Sequence, residues 1–152
     1  TLRVWLNEDF YNAAFSDAEK ARIRTTELVD EQNPWANPSP AGNKTNDKVF
    51  VLSVSEATNP AYGFRSDYGF QDMARRAQGT AYAISNGLSV RSYENGLSSY
   101  SDWWLRTPGS VPMDPRPAGV CLVTDTGTLS ENHSNNIYAQ ITGVRPAIWI
   151  DL

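Results

Sequence analysis

Large apolar residues recur at three- and four-residue steps through the first fifteen positions. Leu2, Trp5, Leu6, Phe10, Ala13 and Ala14 form one stripe, and Arg3, Asn7 and Glu8 fall on the other face. That period predicts an amphipathic helix over residues 2–15. Ser16-Asp17-Ala18-Glu19 has the form of a capping box, so a second short helix is predicted from residue 17 to about residue 24. The two helices would bring Trp5, Phe10 and Ile23 toward one core, with residues 25–29 leaving as an extended segment.

Between residues 30 and 48 the chain turns to Asn, Pro, Ser, Gly and Thr, too poor in apolar groups and too rich in proline for a regular element. A long loop anchored by Trp35 is expected there. Residues 47–54 are apolar on both faces and predict a central strand, and residues 53–57 predict a turn into one helical turn. Residues 70–77 read as a helix with Met73, Ala74 and Ala77 inward. Residues 80–84 read as a short packed piece and residues 85–101 as a polar loop.

The last third reads as strands. Trp103-Trp104-Leu105-Arg106 ends at the breaker Thr107-Pro108-Gly109, and the prolines of residues 110–117 argue for an irregular exposed excursion. Residues 120–124 and 128–130 predict a hairpin with Gly127 in the left-handed position, and residues 143–150 a closing strand. Helices first and strands last predict an α+β fold. The first reading of the two aromatic-Arg segments makes them paired core strands in which Trp104, Leu105, Ile148 and Trp149 pack while Arg106 and Arg145 satisfy carbonyls or carboxylates. The alternative makes the aromatic residues a stacking surface for a sugar or peptide.

Composition narrows the chemistry. The 152 residues are one domain's worth, with 40% hydrophobic and 11% aromatic residues, which describes a globular chain rather than a disordered one. A net charge of −4 gives no electrostatic basis for binding nucleic acid or an anionic membrane. No run of eighteen apolar residues is present, so no membrane insertion is expected. Cys121 and His133 are the single cysteine and histidine, which excludes an intrachain disulfide and a Cys/His zinc site. Cys121 lies in an apolar strand-like run and reads as a buried thiol, and His133 sits in a polar stretch that reads as a solvent-facing loop. Phosphate-loop, HExxH, GxSxG and EF-hand patterns are absent. No catalytic residue and no cofactor is assigned; calcium on Asn43, Asn46 and Asp47 is the alternative, set against turn Asn and Asp bonding their own backbone.

Ligand contacts are expected instead from two irregular stretches, residues 110–116 and 131–138. The candidates are Arg116, Glu131, Asn132, His133, Asn135, Asn136 and Tyr138, residue types that adapt hydrogen bonds or offer flat aromatic contact. The same types would result from adenine-directed codon mutagenesis.

Leu2-Arg3-x-Trp5-Leu6-Asn7-x-x-Phe10-Tyr11-Asn12-x-Ala14-Phe15, Asp47-x-Val49-Phe50-x-Leu52-Ser53-x-x-Glu56-Ala57, Ala81-Tyr82-Ala83, Trp103-Trp104-Leu105-Arg106-Thr107-Pro108-Gly109 and Gly143-Val144-Arg145-Pro146-Ala147-Ile148-Trp149 follow one another along nearly the whole chain. In that order they resemble an uncharacterised family of bacterial domains. Trp5, Trp103, Trp104, Arg106, Arg145 and Trp149 are the signature residues of the resemblance. It implies a gut-bacterial source, an extracellular or cell-surface location within a larger parent protein, and extra strands ahead of residue 2. The closing pattern is similar to C-type-lectin-like domains of the formylglycine-generating-enzyme type and of retroelement-diversified variable proteins. This implies a C-type-lectin-like α+β domain with N-terminal helices, a small mostly antiparallel sheet and long irregular loops. The enzyme branch needs a cysteine pair where only Cys121 stands, and the Glu-Pro-Asn and Trp-Asn-Asp signatures of calcium lectins are absent. The expectation is therefore a non-enzymatic recognition or adhesion module for a glycan or protein ligand. A relic enzyme dependent on Cys121 or His133, and a structural spacer, are the alternatives.

Overall fold

The computed structural model describes residues 1–29, 31–35, 41–93, 98–109, 119–131 and 141–152. The first helix forms where the apolar period places it and then departs from that period. Helix α1 (Leu2–Trp5), capped by the Thr1 hydroxyl, continues through a π turn at Leu6–Phe10 into α2 (Tyr11–Ala14). The wider π turn rotates the faces that follow it. Tyr11 is therefore buried while Ala13 and Ala14 of the expected stripe are exposed; ahead of the turn Leu6 is buried and Leu2 and Trp5 are exposed. Asn7, expected to face outward, turns inward: its Oδ1 accepts from the Lys48 and Val49 amides at 2.8 and 3.2 Å, and its Nδ2 donates to the Val49 carbonyl at 2.9 Å.

Helix α3 (Asp17–Lys20) begins at the Ser16–Glu19 capping box, closed in both directions. It stops short of the predicted residue 24 because Ile23 leaves to bridge Ile150 and the Arg24 amide donates to the Trp149 carbonyl at 2.9 Å. Strand β1 (Thr26–Leu28) then pairs antiparallel with β2 (Thr45–Asp47), so the predicted long loop ends as a strand. Trp35 anchors it as expected, packed on the core and edge-on to Tyr68 at 5.1 Å.

Of the central strand predicted over residues 47–54 only Asp47 joins a ladder, as the end of β2; the rest is largely buried without one. Val49, Phe50 and Val51 are core residues, yet their backbone is satisfied piecemeal by Asn7, by a two-way bridge of Phe50 to Ala147, and, next along, by the Arg106 amide on the Leu52 carbonyl. Helix α4 (Val54–Ala57) follows, capped by Ser53 with Glu56 reaching back to the Ser53 amide. The helix predicted over residues 70–77 is reduced to a 3-10 turn at Met73–Arg75. Asp72 caps that turn and also takes the Arg65 amide and the Arg75 guanidinium, which turns Asp72 and Arg75 inward and leaves Ala74 exposed and Met73 67% exposed.

Strand β3 (Ala77–Gln78), the exposed helix α5 (Ala81–Ser85), β4 (Arg91–Tyr93) and β5 (Ser98–Ser101) come next. The three strands form one sheet in the order β3-β5-β4, so the polar stretch 85–101 holds two strands rather than only a loop. The third sheet has the order β6-β7-β8, from β6 (Trp103–Pro108), β7 (Val120–Val123) and β8 (Leu129–Glu131). Strand β6 runs through the expected breaker to Pro108, and its register slips between Trp104 and Pro108 in a bulge. The β7–β8 hairpin turns at Gly127 with φ of 81°, as the sequence predicts. In place of a closing strand, residues 143–150 make three separate bridges, Trp103 to Gly143, Phe50 to Ala147 and Ile23 to Ile150. The chain end thus ties the third sheet, the buried 49–51 segment and the helical start together. The two signature segments bridge at Trp103 and Gly143, where the Trp104 amide donates to the Gly143 carbonyl at 3.0 Å, and Trp149, expected in the core, is 39% exposed.

The result is a mixed α/β fold with a helical start and three small antiparallel sheets. One core cluster gathers Trp103, Leu105, Cys121, Val123 and Leu129 around α4; another joins Leu6, Tyr11 and Ile23 to Val49 and Val51. Among the described residues no helix is long and apolar enough to cross a membrane.

Candidate functional site

The antiparallel register of the third sheet places three chain ends together. Pro108 pairs with Val120, and Cys121 with Glu131, so the end of β6, the start of β7 and the end of β8 share one edge of the sheet. Residues 110–118 and 132–140 both leave the described chain there. Two glycines close the base of the first segment: the Gly109 amide donates to the Gly119 carbonyl at 2.8 Å, and a Cβ on Gly109 would stand 2.6 Å from the Gly119 carbonyl carbon. Backbones approach that closely only where a side chain is missing. Of the expected ligand contacts, Arg116, Asn132, His133, Asn135, Asn136 and Tyr138 lie outside the described residues, and Glu131 is the last residue of β8.

A cleft of about 720 Å³ reaches this sheet end through Val120. Its lining comes from elements far apart in sequence: Leu6 of the π turn, Val49 and Val51 of the buried segment, and Trp104, Leu105 and Arg106 of β6. These are core-type side chains facing open space, in the size range of pockets that enclose a small molecule. Arg3, Thr45 and Asp47 supply a polar wall. Asp47 is nearly buried and accepts from Arg3 Nε at 2.8 to 2.9 Å and from the Thr45 hydroxyl at 2.7 Å. The Asp47 carboxylate raised above as a calcium ligand is thus engaged with Arg3 and Thr45. Among the described residues no group of three His, Cys, Asp or Glu side chains is placed to hold a metal ion.

Arg106 meets both expectations set for it, a carboxylate and a carbonyl. Its Nη1 donates to Glu56 Oε2 and, at 3.0 Å, to the Val51 carbonyl, while Nη2 donates to Glu56 Oε1 at 3.0 Å. Cys121 is buried, with its thiol 3.4 Å from the Pro108 carbonyl.

The profile of one family, described as Domain of unknown function (DUF6273), matches residues 1–152. The chain belongs to that family. No curated protein and no solved structure matches it.

In this DUF6273 domain two other signature residues, Trp103 and Arg145, converge on one backbone carbonyl. Trp103 Nε1 donates to the Arg75 carbonyl at 2.9 Å, and Arg145 Nη1 donates to the same carbonyl at 3.2 Å while its guanidinium lies 5.1 Å from the Trp103 ring centre. Burial pushes the Arg145 guanidinium below its ordinary pKa. Arg75, fully buried, donates to Asp72 and to the Arg65 and Asp67 carbonyls, which folds residues 65–75 into a compact cap on the β7–β8 turn. Arg145 on a carbonyl is as expected; the Asp72–Arg75 cap was not readable from spacing, since both residues sit in a stretch whose apolar residues suggest a helix.

Asp72 gives the domain an acid-sensitive contact. Burial alone would raise its carboxyl pKa, but the Arg65 and Ala74 amides and the charged Arg75 beside it outweigh that effect and hold it below the ordinary 3.8. A depressed folded-state pKa stabilises above the unfolded value and is lost as pH falls through the folded one. Stability from Asp72 should therefore be constant near neutrality and decline only below about pH 4. Urea midpoints measured against pH for the parent and Asp72→Asn should show the variant's acid limb shallower by at most about 1.4 kcal/mol per pH unit. Parallel acid limbs would remove Asp72 as a source of the pH dependence.

Proposed function

We propose that this domain is a non-enzymatic recognition module, displayed outside the cell within a larger protein, that takes a glycan or protein ligand at the 720 Å³ cleft. The observation that carries the reading is the convergence of the cleft with the sheet end from which residues 110–118 and 132–140 depart. An apolar floor with a few fixed polar groups is the usual chemistry of a binding pocket. Residues 131–138, rich in Asn, Ser and Tyr, suit adaptable contacts to a ligand. A C-type-lectin-like relation, implied by the closing Gly-Val-Arg-Pro-Ala pattern, agrees with a mixed fold of small antiparallel sheets. The buried Cys121 thiol favours this reading over a relic of the formylglycine-generating type, whose cysteines must reach a metal.

Thr1 and Leu2 line the cleft at one wall. A glycan array and a pull-down against host and bacterial surface extracts, with titrations of the hits run on the parent and on Leu2→Trp, test the proposal. Leu2 is at the cleft wall and exposed, so the larger ring should obstruct the space without opening the core. Binding weakened about tenfold or more in Leu2→Trp is the expected result. No saturable binding by the folded parent at about millimolar ligand, or equal binding by the variant, would overturn it.

A further inference from the structure

A second cleft, of about 170 Å³, is walled by aromatic rings. Phe50, Tyr62, Phe64 and Trp149 line it together with Glu56, its one charged lining side chain. Tyr62 and Trp149 stand 44% and 39% exposed, with ring centroids 5.5 Å apart and planes at 66°. Both are held by ordered backbone. Tyr62 ends the 3-10 turn Pro60–Tyr62, which Asn59 caps and Gly63, at φ of 84°, terminates. Trp149 is fixed between the bridges at Ala147 and Ile150, its carbonyl accepting from the Arg24 amide.

We propose that this corner binds a small quaternary ammonium ion. The space is below the roughly 300 Å³ at which pockets begin to enclose a whole drug-sized ligand, so a compact group fits it. Two rings set at a steep angle offer a corner rather than a platform. A flat pyranose stacks on one ring face, whereas a rounded tetraalkylammonium touches two at once. Ring faces are the negative side of the aromatic quadrupole and attract a cation, and recognition of quaternary ammonium ions is an established use of such groupings. A primary ammonium suits the corner less well, because it is strongly hydrated and the cleft offers little beyond the Glu56 carboxylate to replace its water. Arg106 already holds that carboxylate, so the rings supply most of the attraction and the affinity is expected in the millimolar range.

Choline chloride is titrated into the ¹⁵N-labelled chain alongside 3,3-dimethylbutan-1-ol, its uncharged carbon isostere, and methyl glucopyranoside. The expected result is a saturable shift of the Trp149 indole with choline and binding about tenfold weaker for the isostere. Tyr62→Leu and Trp149→Leu, both at exposed rings, should lose choline binding with an unchanged urea midpoint; the comparison of choline with its isostere on the parent chain needs no variant. Equal binding of the isostere, saturation by the glucoside in place of choline, or no shift at about 100 mM choline would each overturn the proposal. So would binding to phosphatidylcholine vesicles without binding to free choline, which would assign the face to a lipid surface.

Discussion

Replacing Gly127 with alanine is expected to cost about 3–5 kcal/mol, which puts it among the most damaging single changes in this fold. Two penalties combine there. At φ of 81° an added Cβ costs about 1–2 kcal/mol through its clash with its own backbone. The same Cβ would lie 2.1 Å from the Asp72 carbonyl oxygen, a separation that only a backbone shift can relieve. That shift would pull the β7–β8 turn away from the 65–75 cap, where the Leu129 amide donates to the Tyr68 carbonyl and Arg76 Nε donates to the Thr126 carbonyl. Gly87 separates the two penalties, because its φ is 96° and its Cβ would meet nothing within 4 Å. Gly87→Ala should therefore cost only about 1–2 kcal/mol. Urea denaturation of the two variants measures the difference, and equal losses would show that the close approach at Asp72 carries no energy of its own.

Gly127 was legible because a turn between two apolar runs needs a residue at positive φ, and Asp-Thr-Gly supplies one locally. The capping box at Ser16 was legible for the same reason, as a contact three residues long; at Ser53 only the turn into one helical turn was read, and the box there is a finding of the structure. Features that depend on distant partners were not. Residues 49–51 are apolar on both faces because they are buried, but burial does not specify which groups satisfy the backbone, and here Asn7 and Ala147 do it without a ladder. The helical stripe fails at Ala13 and Ala14 because the π turn ahead of them inserts its own phase, which a fixed period of 3.6 cannot anticipate. At the candidate site the expected partners of Arg106 had the right chemistry, yet Glu56 lies fifty residues away in a segment read only as a turn into one helical turn. The cleft could not be foreseen, since it is the space left where the π turn, the buried segment and β6 meet.

Truncating Glu56 is the second large expected effect. Its side chain is 19% exposed and that of Arg106 13%, so the pair is mostly withdrawn from water and little screened by salt. Glu56→Ala would leave the guanidinium without its carboxylate and the Ser53 amide without the acceptor now 2.8 Å away. Breaking one partner of such a pair typically costs about 3–5 kcal/mol; the residual exposure here argues for about 3. Glu56→Gln keeps an oxygen for the Ser53 amide but loses the charge, and should fall between. Arg106→Met in the Glu56→Ala background removes the stranded charge and should recover part of the loss, because a buried pair owes much of its apparent strength to the cost of separating it. Urea midpoints for the parent, Glu56→Ala, Arg106→Met and the double variant close the cycle. Additive losses would mean that the two residues act independently, and the pair would then not join the clefts it stands between. Arg106 lines the larger of those clefts and Glu56 the smaller, so the coupling energy measures how firmly one wall of each is held by the other.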